Sequence, residues 1–290
     1  MRGTISLLML MFLCSVTACA QDMSGNHNHS AASSDNMVSQ EWARQRVAKS
    51  PRHREWVKIK NGTREVNSFV VYPENKNKAT AVIVIHEIFG MSDWVQSLTD
   101  QLAEAGYVAI APDLLSGMGP NGGGTESLSR NAVGQAIGNL PPDQITADLN
   151  AVADYIAKVP ASNGKIVVTG YCWGGGQSFR YATNNPNIKA AFVFYGPAPA
   201  AADGTPDKAA LAKITAPVYG FYAGNDARIN ATLPKTTEAM TELKKKYEPV
   251  TYEGAGHGFM RAGEAPDANE ANKKARDDAW ARWKKILASI

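Results

Sequence analysis

From Val66 onward, short apolar runs of strand length alternate with longer segments whose apolar residues recur at helical spacing. Strands covered on both faces read as continuous apolar runs, so this alternation predicts an α/β fold: a mostly parallel sheet with helices on both faces. The expected strands are Val66 to Tyr72, Thr80 to His86, Tyr107 to Ala111, Lys165 to Thr169, Ala190 to Tyr195, Val218 to Tyr222 and Pro249 to Tyr252. Among the intervening helices Asp143 to Val159 is the clearest, with Ile145, Leu149, Val152 and Ile156 on one stripe and Pro141-Pro142 marking its start. Between Asp267 and Ile290, the residues Ala279, Trp280, Trp283, Ile286 and Leu287 recur at helical spacing as a packing face. Ser116 to Thr125 breaks the pattern with five glycines and no periodicity. It is expected to be a flexible loop at the carboxyl edge of the sheet, where open α/β proteins hold their ligands.

The first forty residues follow another pattern. Arg2 precedes an apolar core from Ile5 to Leu13 that is too short to span a bilayer, as in an export signal over residues 1–18. Val16-Thr17-Ala18-Cys19 then resembles a bacterial lipobox, which makes Cys19 the expected lipidated first residue of an envelope-anchored protein. Ala20 follows Cys19 where an inner-membrane lipoprotein commonly has aspartate, so the outer membrane is favoured. Cleavage near Ala20 would instead release a soluble periplasmic protein. Residues 19–40 are rich in Ser, Asn, Ala and Gly, the composition of a disordered tether, and His27 and His29 read as solvated tether residues. Residues 41–290 remain, enough for one large domain. The 30 basic and 27 acidic residues are spread along the chain, so no nucleic-acid surface is implied, and Lys244-Lys245-Lys246 reads as a solvated helix face. No metal site is expected, and a monomer is the simplest assembly.

The chemistry centres on Gly170-Tyr171-Cys172-Trp173-Gly174, placed between a strand and a helix. This is the arrangement of a nucleophile elbow with a thiol in place of the usual serine hydroxyl. Such a turn crowds out side chains two residues before and after the nucleophile, which accounts for both glycines. Cleavage of the leader would remove Cys14 and lipidation would occupy Cys19, leaving Cys172 with no disulfide partner in an oxidising compartment. A thiol is only slightly ionised near neutrality, so it needs a base, and the base needs an orienting acid. Asp226 follows the strand Val218 to Tyr222, and His257 follows Pro249 to Tyr252. Nucleophile, acid, histidine is the chain order of an α/β-hydrolase triad. Glu87 follows the strongest strand and should reach the same edge, either as a second base or as a cap on the next helix. The backbone amides of Ile88 and Trp173 are the expected oxyanion donors.

Together with Ala111-Pro112-Asp113-Leu114 and Gly256-His257-Gly258-Phe259, these motifs make the chain, from roughly Arg64 to Trp283, resemble the dienelactone hydrolase (carboxymethylenebutenolidase) family. The resemblance implies an α/β-hydrolase fold and hydrolysis of a small ester or lactone through a Cys172 thioester, without a cofactor. It implies that Glu87 is a switchable base for Cys172, that Asp226 and His257 complete the triad, and that Arg261 and Arg130 bind a substrate carboxylate. Gly134 and Ile137 stand where the family carries aromatic residues, so a different pocket wall is expected. A general periplasmic esterase or thioesterase, and a non-catalytic ligand-binding lipoprotein of the same fold, are the alternative readings.

Overall fold

The computed structural model describes residues 40–290. The expected signal peptide, Cys19, His27, His29 and nearly all of the tether lie outside them. Eight strands form one sheet: β1 (Arg54–Asn61), β2 (Arg64–Val71), β3 (Ala79–Ile85), β4 (Val108–Pro112), β5 (Ser162–Tyr171), β6 (Ala190–Phe194), β7 (Val218–Ala223) and β8 (Tyr247–Tyr252). Their order is β1-β2-β4-β3-β5-β6-β7-β8. β1 and β2 pair antiparallel, β2 pairs antiparallel with β4, and the rest of the sheet is parallel.

All seven residues of β3 are buried, because side chains alternate between two covered faces. Ala81, Ile83 and Ile85 pack with Ile145, Leu149, Val152 and Ile156 of the helix Pro142–Lys158 and with Phe179 of the helix Trp173–Asn184. Val82 and Val84 face the opposite layer, where Trp94, Leu98 and Leu102 of Asp93–Glu104 meet Ala279, Trp283 and Leu287 of Glu270–Leu287. Each such aliphatic side chain contributes about 2 kcal/mol by leaving water. Tyr171, Phe194 and Phe221 stack at 4.6 and 4.3 Å beneath the edge that carries Cys172, so the elbow stands on a rigid aromatic floor.

The first hairpin goes beyond the expected strand set. β1 alternates charged Lys58 and Lys60 with Ile59 and leaves Trp56 45% exposed, an edge pattern without a long apolar run. Asn61 pairs with Arg64, so Gly62-Thr63 is a two-residue turn, with Gly62 at φ 62°. Ile137, expected in the pocket wall, is instead buried in the core, and the neighbouring Val133 lines a cavity beside Arg130. The glycine-rich segment is also more constrained than its composition suggests. Asp113 accepts from the Thr125 amide at 2.8 Å and from its hydroxyl at 2.7 Å. A Cβ on Gly124 would meet the Asp113 carboxylate at 2.2 Å, so only glycine lets the loop close on that anchor.

Candidate active site

Parallel strands bring the residues that follow them to one edge. Glu87 comes after β3, Asp113 after β4, Cys172 after β5, Tyr195 after β6, Asp226 after β7 and His257 after β8. Cys172 has φ 56° and ψ −117°, a backbone region that costs a non-glycine residue on the order of 1–3 kcal/mol. The surroundings hold it there. Its amide donates to Phe194 O at 3.1 Å, and the helix Trp173–Asn184 starts at the next residue. A Cβ on Gly170 would lie 1.9 Å from Gly174 O, and one on Gly174 would lie 2.4 Å from both Ile85 O and His86 O. Backbone atoms cannot yield that much space, which is the packing reason for both glycines.

His257 Nδ1 donates to Asp226 Oδ2 at 2.5 Å, and Cys172 is near enough to the imidazole to favour its charged form. Burial alone would push His257 down, but the bond to Asp226 and the nearness of Cys172 prevail and raise it to about 9. Burial opposes ionisation of Asp226 as well. The His257 contact and the Ile229 amide overcome it and hold the carboxyl below its ordinary value.

Glu87 is only 2% exposed at its side chain and accepts from Arg261 Nε at 2.8 Å. The Glu87 charge is the main reason that Arg261 is held above its ordinary value, and Cys172 is also within electrostatic reach of the guanidinium. Arg261 further lies 5.5 Å from the Phe89 ring, a cation–π contact. The residue expected to meet a substrate carboxylate is therefore already occupied by an internal one. Cap duty on Asp93–Glu104 falls to Ser92, which accepts from Val95 N at 3.4 Å, and not to Glu87.

Trp173 opens its helix, so its amide has no partner within that helix. Ile88 sits in the turn closed by Gly90 N on Glu87 O at 3.1 Å. Arg130 is the first residue of the helix Arg130–Gly138 and is exposed. It opens into a cavity of about 410 Å³ with Phe89, whereas His257 and Arg261 line a neighbouring cavity of about 500 Å³. Among the described residues no group of three or more His, Cys, Asp or Glu is arranged to hold a metal ion.

Two residues at this edge went unselected in the sequence reading. Tyr195 has φ 40°, packs edge-on to His257 at 5.1 Å, and buries a hydroxyl that has no hydrogen-bond partner among the described residues. Its signal was slight: an aromatic residue before Gly196 at a strand end. His86 is fully buried, with Nδ1 donating to Glu87 O at 2.8 Å and Nε2 accepting from Leu114 N at 3.4 Å. Burial pushes His86 below its ordinary value, so it stays neutral, and its ring stacks on Trp173 at 5.5 Å.

The sheet order, the strained thiol elbow and the carboxylate–histidine pair after β7 and β8 define an α/β-hydrolase. Within that class the sequence pattern of the dienelactone hydrolase family matches residues 66–290, and the chain belongs to that family. A Saccharolobus solfataricus protein named "Putative carboxymethylenebutenolidase" is 31% identical over 259 residues, covering 78% of this chain and 95% of the relative. An Escherichia coli K12 protein of the same name is 31% identical over 212 residues, covering 69% and 73%. The crystal structure of a "Putative Dienelactone Hydrolase" from Klebsiella pneumoniae superposes with a TM-score of 0.71 at 28% identity, covering 82% of this chain and 99% of that one. The chain is thus a hydrolase of the dienelactone hydrolase type.

Proposed function

We propose that the protein opens an ester or lactone bearing a nearby carboxylate, with Cys172 forming a thioester intermediate. The observation that carries this reading is the strained Cys172 elbow, with the Asp226–His257 pair and the Arg261 partner of buried Glu87 both within electrostatic reach of the thiol. A substrate carboxylate competes for the Arg261 guanidinium, with Arg130 as a second cation, and frees Glu87. Glu87 takes the thiol proton, and Sγ attacks the carbonyl carbon. The oxyanion faces the amides of Ile88 and Trp173. As the C–O bond breaks, His257, protonated at neutral pH by its raised value, donates its proton to the leaving alkoxide. Neutral His257 then takes a proton from the water that attacks the thioester, and the departing thiolate recovers its proton from Glu87. Asp226 holds the imidazole orientation throughout.

The test compares hydrolysis of a dienelactone and of 4-nitrophenyl acetate by the full chain and by Cys172→Ala. Dienelactone turnover lost by about ten-thousandfold or more in the variant is the expected result. Activity on the aryl ester alone supports a general esterase, and turnover that survives in Cys172→Ala removes the thioester. No activity on either ester favours a ligand-binding role.

The lipobox-like run before Cys19 supports a further part of the same reading, in which a lipid on Cys19 holds a monomeric domain at the envelope, in the outer membrane. Cell fractionation checks it: Cys19→Ala should move the protein from the membrane to the soluble fraction, and an unchanged distribution rules the anchor out. Light scattering on the soluble form tests the monomer.

A further inference from the structure

Gln40, at the end of the segment expected to be a tether, is fixed at two points. Its side-chain Oε1 accepts from Trp94 N at 2.7 Å, satisfying one of the first amides of the helix Asp93–Glu104. Its own carbonyl accepts from Ala43 N at 2.8 Å and Arg44 N at 3.0 Å, which starts the helix Glu41–Lys49. A glutamine held at both side chain and main chain behaves as a wall and not as a strand of solvent-exposed linker. Its position is informative: Gln40 lines both the cavity beside Phe89 and Arg130 and the cavity that holds His257 and Arg261. These cavities abut, since Arg261 of one lies 5.5 Å from the Phe89 ring of the other. The family match starts only at residue 66, so this partition comes from a part of the chain outside the family pattern.

We propose that Gln40 is a specificity-determining residue, a neutral wall between the Arg130 and Arg261 compartments that governs which anionic esters reach Cys172. The proposal rests on Cys172 being the reacting group, but its test does not depend on turnover. Gln40→Glu keeps an acceptor for Trp94 N and sets a negative charge near a helix N-terminus, where it is tolerated. The same change places an anion at the meeting of the two compartments.

The readout is the alkylation rate of Cys172 in the full-length protein by iodoacetate and by neutral iodoacetamide, followed by the mass of the Cys172 peptide. In both reactions Sγ displaces iodide, and the reagents have similar size, so their rate ratio reports charge at the approach. Gln40→Glu should lower the iodoacetate to iodoacetamide ratio about fivefold at low ionic strength, less as salt is added. Asn187→Asp, an exposed change in the turn beyond the far end of the helix Trp173–Asn184, controls for net charge and should leave the ratio unchanged. A ratio that moves no more in Gln40→Glu than in Asn187→Asp overturns the proposal. A thiol that neither reagent reaches in the wild type overturns both this proposal and the thioester reading. Ester hydrolysis that persists in Cys172→Ala overturns the thioester reading and the proposal with it, whereas hydrolysis lost in Cys172→Ala together with an unmoved alkylation ratio in Gln40→Glu overturns the proposal alone.

Discussion

Asp226–His257 and Glu87–Arg261 stand on the same sheet edge with donor–acceptor distances of 2.5 and 2.8 Å, yet they occupy different media. His257 leaves 32% of its side chain open, while Glu87 leaves 2% and Arg261 15%. Water can screen the first pair and take its proton; the second is a buried charge pair whose members depend on each other. One pair keeps an imidazole oriented and titratable. The other holds Glu87 against a buried cation, and in the proposed mechanism a substrate carboxylate releases it. Similar contact geometry therefore serves two chemical tasks, and burial sets which one.

Four experiments would break or sharpen that contrast. The largest effect is expected from Asp226→Asn, which should reduce kcat by about a thousandfold to ten-thousandfold by releasing the imidazole tautomer, while its stability loss stays smaller than that of Glu87→Gln because His257 is partly open to water. Steady-state kinetics and urea unfolding together check both halves of that statement. Glu87→Gln should show the opposite balance in stability: Arg261 is left buried without its counter-charge, at a cost of about 3 kcal/mol in urea unfolding. Equal destabilisation by the two substitutions would remove the distinction drawn between the pairs. Arg261→Lys should raise KM for a carboxylate-bearing ester about tenfold and leave that for a neutral aryl ester unchanged, because lysine keeps the charge but loses the planar fork and the Phe89 contact.

The smallest effect is a pH dependence. His257 is raised to about 9 from an ordinary 6.5, so its contribution to stability is complete below pH 6.5 and is lost as pH rises through 9. Asp226 is depressed, so its contribution is present above the ordinary carboxylate range and is lost on acidification through the lowered value. Urea unfolding across pH 6.5 to 9 should show a decline that flattens in Asp226→Asn. An identical slope in the variant would mean that His257 does not draw its shift from Asp226.

Much of this architecture was legible beforehand, for reasons particular to each element. β3, β6 and β7 are buried on both faces, and their apolar runs stand out without any knowledge of their neighbours. The elbow was legible because the pattern of glycine two positions either side of Cys172 fits in five consecutive residues, although the atoms that exclude a Cβ at Gly174 belong to Ile85 and His86. β1 escaped notice because an edge strand mixes charged and apolar positions. Tyr195 escaped because nothing in a lone aromatic residue announces a positive φ or a buried hydroxyl.

The strands and the residues that follow them determined, from the sequence alone, which side chains share one edge of the sheet, since parallel strands bring their carboxyl ends together. What only the tertiary structure decided is how those side chains pair. Arg261 and Glu87 are 174 positions apart, and their choice of each other depends on burial that removes water as a competing partner. Gln40 is the same lesson on the outside of the site: the composition around it reads as tether, and only the helix-start amide of Trp94 fixes its side chain.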